Sequence, residues 1–323
     1  MKLSALIILL NLIILNHSQQ TESINSLNNQ NQPEANKGII YLSNNNGLSW
    51  QNISNGIPER AMLSDLSLSG NTLGISTKKN GLFLYDVSTS QWNKTLNTPS
   101  IFDINALLIL DGYMYAGTNG EGIFLSTDNG TNWQQYNFGL DNLIIRKIAK
   151  IEDKIYACTN GGLFTLNLFT NHWEKEFGDK LLQVNGITFL NNTIFIATNK
   201  GGFKSKINEH NWQKLSLDFS FHNISASDKT LFALAYNELY ASTDDGETWY
   251  NDQAGIPKGM YTFQLVQTSN YTLAGQWDGI YKKDITSNWV KWNNGLPTKI
   301  PITELKGNEN FLVAASSGWY LGD

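Results

Sequence analysis

Seven tryptophans, Trp50, Trp92, Trp133, Trp173, Trp212, Trp249 and Trp289, recur along this chain at spacings of 42, 41, 40, 39, 37 and 40 residues. A period near forty that survives six intervals restricts a chain to repeat architectures. Each period carries the same parts. Between Ile104 and Gln135, an apolar run Ile104–Leu110 meets a turn at Asp111-Gly112, and a second run Tyr113–Thr118 follows. After Asn119–Gly122 comes Ile123–Ser126, then a turn at Asp128–Gly130 and a last short piece beginning at Trp133. Short β-rich runs separated by Gly/Asn/Asp turns read as strands, four per period. A repeated four-stranded antiparallel unit is the blade of a β-propeller.

The register predicts an all-β, seven-bladed propeller over residues 38–323. Blades one to six span 60–98, 101–137, 144–177, 183–215, 222–253 and 261–293. The seventh is split: residues 302–317 supply two inner strands, and 38–43 with 49–51 supply two outer ones. A closed ring leaves no open sheet edge, which a linear array of repeats would. Residues 318–321 compete with 38–43 for the third strand of that blade. Seven tryptophans in register are expected to pack between blades rather than to stack on a ligand.

The first residues read differently. Lys2 precedes an apolar run from Leu3 to Leu15, broken only by Ser4 and Asn11, and a polar stretch follows. This predicts a signal peptide over 1–18, shorter than a membrane span. Residues 19–37 are Gln-, Asn- and Ser-rich without apolar period, a disordered linker. The protein is therefore expected to be secreted, periplasmic or in the cell envelope. Its single cysteine, Cys158, permits no internal disulfide and reads as a small buried filler. A net charge of −5 gives no basic surface for nucleic acid.

Two turns, Ser126-Thr127-Asp128-Asn129-Gly130-Thr131-Asn132-Trp133 and Ser242-Thr243-Asp244-Asp245-Gly246-Glu247-Thr248-Trp249, follow the pattern Ser-x-Asp-x-Gly-x-x-Trp. Ser43–Trp50 repeats it with Asn45 in place of Asp. The pattern resembles the Asp-box, or BNR repeat, of the sialidase-like propellers. The resemblance implies a box on the hairpin between strands three and four, with Ser126, Asp128, Gly130, Trp133, Ser242, Asp244, Gly246 and Trp249 in structural roles. At the repeat level the chain also resembles exported single propellers related to photosystem II assembly factors.

Sialidases of this superfamily grip a carboxylate with three arginines, and this chain has two, Arg60 and Arg146. That activity is excluded by count, since lysine does not reproduce the guanidinium fork. Another glycoside hydrolase or lyase would need two carboxylates about the scissile bond. Asp65, Asp103, Glu121, Glu238, Asp278 and Glu304 are available for it, each without a surrounding motif. No catalytic residue, cofactor or metal site is assigned. Most strand-two-to-three turns are plain Thr-Asn-Gly-like, but two break the habit, with Tyr236 and Glu238 in blade five and Trp277 and Asp278 in blade six. These four form the candidate binding patch of a monomeric module for a protein or carbohydrate ligand.

Overall fold

The computed structural model describes residues 39–58, 61–95, 103–284, 286 and 288–317. The signal segment, the linker, Arg60 and the alternative strand at 318–321 lie outside them. Within the described residues, 28 strands form seven four-stranded antiparallel sheets. Blade two runs Ile104–Leu110, Tyr113–Thr118, Ile123–Ser126 and Gln134–Gln135, paired in that order. In the seventh sheet Glu304–Gly307 and Leu312–Ala315 continue into Ile40–Ser43 and Gln51–Asn52, with Ile40 opposite Ala315 and Ser43 opposite Leu312. Each innermost strand packs against that of the next blade, and Glu304–Gly307 packs against Leu63–Ser69, so the blades form a ring.

The core is divided rather than central. Seven clusters of buried apolar side chains each lie between two neighbouring blades. A blade is thus covered on both faces, and its second strand reads as a continuous apolar run instead of an alternation. Thr193–Thr198 is buried at every position. Near the hub the spacing narrows, and Gly117 accommodates it: a Cβ there would sit 2.4 Å from Ile145 Cγ2.

Three of the seven repeat tryptophans tie blades together through their ring N–H. Trp133 and Trp249 donate to the turn carbonyls of Gly130 and Gly246 in their own blades, both at 3.1 Å. In the blade that follows a Ser-x-Asp/Asn-x-Gly turn, the donor instead reaches back. Trp92 bonds Ile53 O, Trp173 bonds Tyr136 O and Trp289 bonds Asp252 O. Each acceptor lies three residues after the preceding blade's tryptophan. Backbone straps reinforce the seam: Trp173 N donates to Phe138 O and Trp289 N to Ala254 O, at 2.8 and 2.7 Å. The glycine after each acceptor, Gly139 or Gly255, is in the left-handed region, and a Cβ on it would lie about 2 Å from the tryptophan carbonyl. At the Asn45 turn the pattern is displaced, because Trp292 takes the Gly47 carbonyl at 2.8 Å and Trp50 Nε1 is left buried without a partner.

Candidate binding face

The two ends of a blade have different chemistry. At one end lie the turns carrying Ser126–Trp133 and Ser242–Trp249. Ser126 Oγ donates to Asp128 Oδ1 and accepts from Gly130 N, while Asp128 Oδ1 accepts from Asn132 N at 2.8 Å. Ser242, Asp244, Gly246 and Thr248 repeat this arrangement, and so do Ser43, Asn45, Gly47 and Ser49. An Asx side chain that takes its own turn's N–H groups fixes the turn. These bonds hold the Asp128 carboxyl below its usual range and that of Asp244 down to about 2, with the Thr248 hydroxyl as the largest cause there. Each carboxylate is satisfied locally.

The other end carries the strand-two-to-three turns. Buried Thr77, Thr118, Thr159 and Thr198 each donate a hydroxyl hydrogen bond to a carbonyl three or four residues on and accept a turn N–H. This is why each of these turns runs from a threonine to a glycine, Gly81, Gly122, Gly162 or Gly201. Blades five and six lack that threonine: Ala235 and Gln276 occupy its place, and Tyr236 and Trp277 project next. Tyr236 is 79% exposed.

The structure brings Tyr236 and Trp277 to opposite ends of one run of rings. Tyr236 meets Tyr261 edge-on at 6.2 Å, Tyr261 meets Phe263 at 4.8 Å, and Phe263 meets Trp277 at 5.0 Å. His222 stacks on Tyr261 at 4.1 Å. Tyr261 and Phe263 lead into the first strand of blade six, Gln264–Gln267, within the bounds the repeat gave that blade but outside the candidate patch. The signal available for them was the aromatic pair in Tyr261-Thr262-Phe263. The carboxylates of the patch point elsewhere. Glu238 accepts from Tyr240 Oη at 2.8 Å, beside a hollow of about 650 Å³ that Tyr236 also lines. Asp278 is held by Lys291 Nζ at 2.6 Å and Tyr281 Oη at 3.2 Å.

Next to the aromatic run the central channel opens into a polar mouth of about 280 Å³. Its lining was also missed, and a repeated backbone device creates it. In blades one to four the register of the innermost strand slips at its second residue: Ser64, Asn105, Arg146 and Asn185. A bulge at an element's end re-aims a side chain, and all four line the mouth. The amides bridge blades: Asn105 Nδ2 donates to Ile145 O, and Asn185 Nδ2 to Phe221 O.

Of the six candidate carboxylates, Asp65 and Glu304 both line this mouth. Asp65 is fully engaged. Its oxygens accept from Leu66 N, from Leu107 N of the next blade, and from Lys306 Nζ at 3.0 Å; Lys306 also bonds Leu66 O. Glu304 differs. Burial, and then the Asp65 charge, push its pKa up to about 8, and Glu304 Oε2 is buried without a partner. His222 Nε2 donates to Thr262 O, and burial pushes this ring down to about 4, so it is neutral with Nδ1 open as an acceptor. Among the described residues no group of three or more His, Cys, Asp or Glu side chains is placed to hold a metal ion.

No protein-family model and no curated protein matches the sequence. Solved structures do match. YCF48 bound to a D1 peptide is 14% identical with a TM-score of 0.62, over 82% of this chain and 94% of that one. The extracellular domain of the putative hybrid two-component system BT4673 from B. thetaiotaomicron is 16% identical with a TM-score of 0.65, over 81% of this chain and 38% of that one. BamB from Moraxella catarrhalis is 13% identical with a TM-score of 0.55, over 79% and 85%. The chain thus spans about two-fifths of that extracellular domain and most of the other two. At these identities the likeness is one of fold, a β-propeller.

Proposed function

We propose that the chain is an exported, non-catalytic binding module that takes a polypeptide across the turns of blades five and six. The observation that carries this reading is the run Tyr236, Tyr261, Phe263 and Trp277, with Tyr236 exposed at its end. Rigid aromatic rings beside a polar rim offer large contact area at small entropic cost. The peptide held by the YCF48 propeller supports a polypeptide partner. The segment 1–18 and the extracellular sensor domain among the similar structures support export. The three Ser-x-Asp/Asn-x-Gly-x-x-Trp turns support membership of the Asp-box propellers, with their side chains in a structural role. No helix of the described residues is long and apolar enough to cross a membrane.

Binding is favoured over glycoside hydrolysis by the state of Asp65. Hydrolysis needs two carboxyl groups free to act on the bond, and the backbone and Lys306 already occupy both oxygens of Asp65. The test is selection of peptides on the purified chain from a displayed library, followed by affinity measurement on Tyr236→Ala and Trp277→Ala. Each substitution is expected to weaken the selected peptides about tenfold or more, the cost of a lost aromatic anchor. Selected peptides that bind both folded variants as tightly as the parent would overturn the site. Turnover of an aryl glycoside would overturn the non-catalytic reading.

A further inference from the structure

The channel mouth holds two cations that the fold does not neutralise. Lys306 is paired with Asp65, but among the described residues neither Arg146 nor Lys147 forms an ion pair. Arg146 donates from Nη1 to the neutral amide of Asn160 at 3.2 Å. Lys147 stands at the waist of the channel, lining both the polar mouth and the section below it. That lower section is lined by Leu107, Ile187 and Leu265 and by the neutral side chains of Ser67, Thr188, Ser225 and Gln264, so it offers Lys147 no anionic partner. A half-buried ammonium in such a place is costly unless an anion or water compensates it. With Asp65 committed to Lys306 and burial raising the Glu304 pKa to about 8, no carboxylate of the mouth is left to pair with Lys147, whose own pKa burial lowers and an entering anion would raise again.

We propose that the mouth of the channel is a carboxylate-binding site, with Lys147 as its charge anchor and Arg146 gripping the same group from the rim. Unpartnered buried atoms surround it: Asn185 Oδ1, His222 Nδ1, Ser64 Oγ and Glu304 Oε2. Two of these are acceptors only, so the ligand also carries hydroxyl or amide donors. The cavity, about 280 Å³, admits a small hydroxy acid or one acidic side chain with its own peptide unit. The shared chemistry is a carboxylate beside a donor, and the source is either a free organic acid or a polypeptide. This site does not depend on the aromatic run being a binding surface.

The experiment is calorimetric titration of the folded chain at low salt with citrate and, separately, with a hexaglutamate peptide. At least one is expected to bind at millimolar concentration or below. Tighter binding of citrate assigns the site to a free acid, and tighter binding of the peptide assigns it to a polypeptide. Lys147→Gln is expected to weaken binding about tenfold and Lys147→Arg to preserve it within about threefold, the scale of one charge-assisted hydrogen bond. If Lys147→Gln does not fold, Arg146→Gln on the exposed rim takes its place with the same expectation. Absence of binding by both probes, or equal affinity in the charge-removing variant, overturns the proposal.

Discussion

Asp65 and Lys306, 241 residues apart in sequence, meet at 3.0 Å across the boundary between the first and seventh blades. Asp65 also receives Leu107 N from the second blade, so one carboxylate joins three blades. Removing it leaves the buried Leu107 N–H without its acceptor and the partly buried Lys306 ammonium without its counter-charge, held only by the Leu66 carbonyl. Asp65→Ala is expected to cost about 3 kcal/mol, the lower end for breaking a buried pair because Lys306 keeps some solvent contact. Urea denaturation measures it, and Asp65→Asn, which keeps an acceptor, should lose less.

Glu304 makes stability depend on pH. Its folded pKa, about 8, lies above the ordinary value of 4.5, so its contribution is fully present below about 4.5 and is lost as pH rises through about 8. Asp65, Lys306 and Lys147 face it, and none removes the rise. His222 acts in the opposite direction: its pKa falls from 6.5 to about 4, so its contribution is lost as pH falls through that window. The two effects offset each other between about pH 4.5 and 6.5, so the melting temperature should decline from about pH 6.5 to about pH 8, and Glu304→Gln should remove that decline and uncover the rise that His222 produces between about pH 4 and 6.5.

Two glycines with similar backbone angles should respond very differently to alanine. Gly112, at φ +77°, has nothing within 4 Å of a new Cβ, so Gly112→Ala should cost only about 1 kcal/mol for the left-handed backbone. Gly139, at φ +95°, would place its Cβ 2.1 Å from Trp173 O. Gly139→Ala must break the strap between blades two and three and should cost about 3 kcal/mol or more. Thermal denaturation of the pair distinguishes backbone strain from collision.

At Asp244 the bonding pattern matters more than the charge. Asn45 makes the same contacts in its own turn, to Ser43 and Ser49. Asp244→Asn should therefore keep most of the melting temperature that Asp244→Ala loses. The carboxylate's depressed pKa contributes stability above its ordinary 3.8 that is lost as pH falls through about 2, so the Asn variant should lose that acid sensitivity.

Cys158 is fully buried, and burial pushes its thiol up to about 12. The folded protein should resist a thiol-reactive dye and label at once in denaturant. Labelling at the same rate in both conditions would contradict the described packing.

The blade was legible in the sequence because its determinants are local. The Ser126–Trp133 turn, the Thr118 cap on its own turn and the glycine six residues after a tryptophan act within one repeat or across one boundary. Tyr236 and Trp277 stood out because they interrupt a repeated turn, and their rings do meet through Tyr261 and Phe263. Glu238 and Asp278 are tied to Tyr240 and Lys291, contacts that sit on the following strands and carry no pattern. The channel mouth was not legible. Ser64, Asn105, Arg146 and Asn185 look like ordinary polar positions in apolar strands until a bulge turns each toward a common axis. Their neighbourhood exists only once residues a repeat apart, and Glu304 some 240 residues from Asp65, are brought onto one ring.

Because every apolar cluster lies between blades, no blade possesses an interior of its own. A repeat cut out of this chain would be a sheet oily on both sides, and it should aggregate rather than fold. Conversely, a polar substitution within one cluster weakens a single seam and leaves six intact, so the ring would part there and open like a split washer. Proteolysis of such a variant should begin beside the altered seam, wherever in the sequence that seam falls.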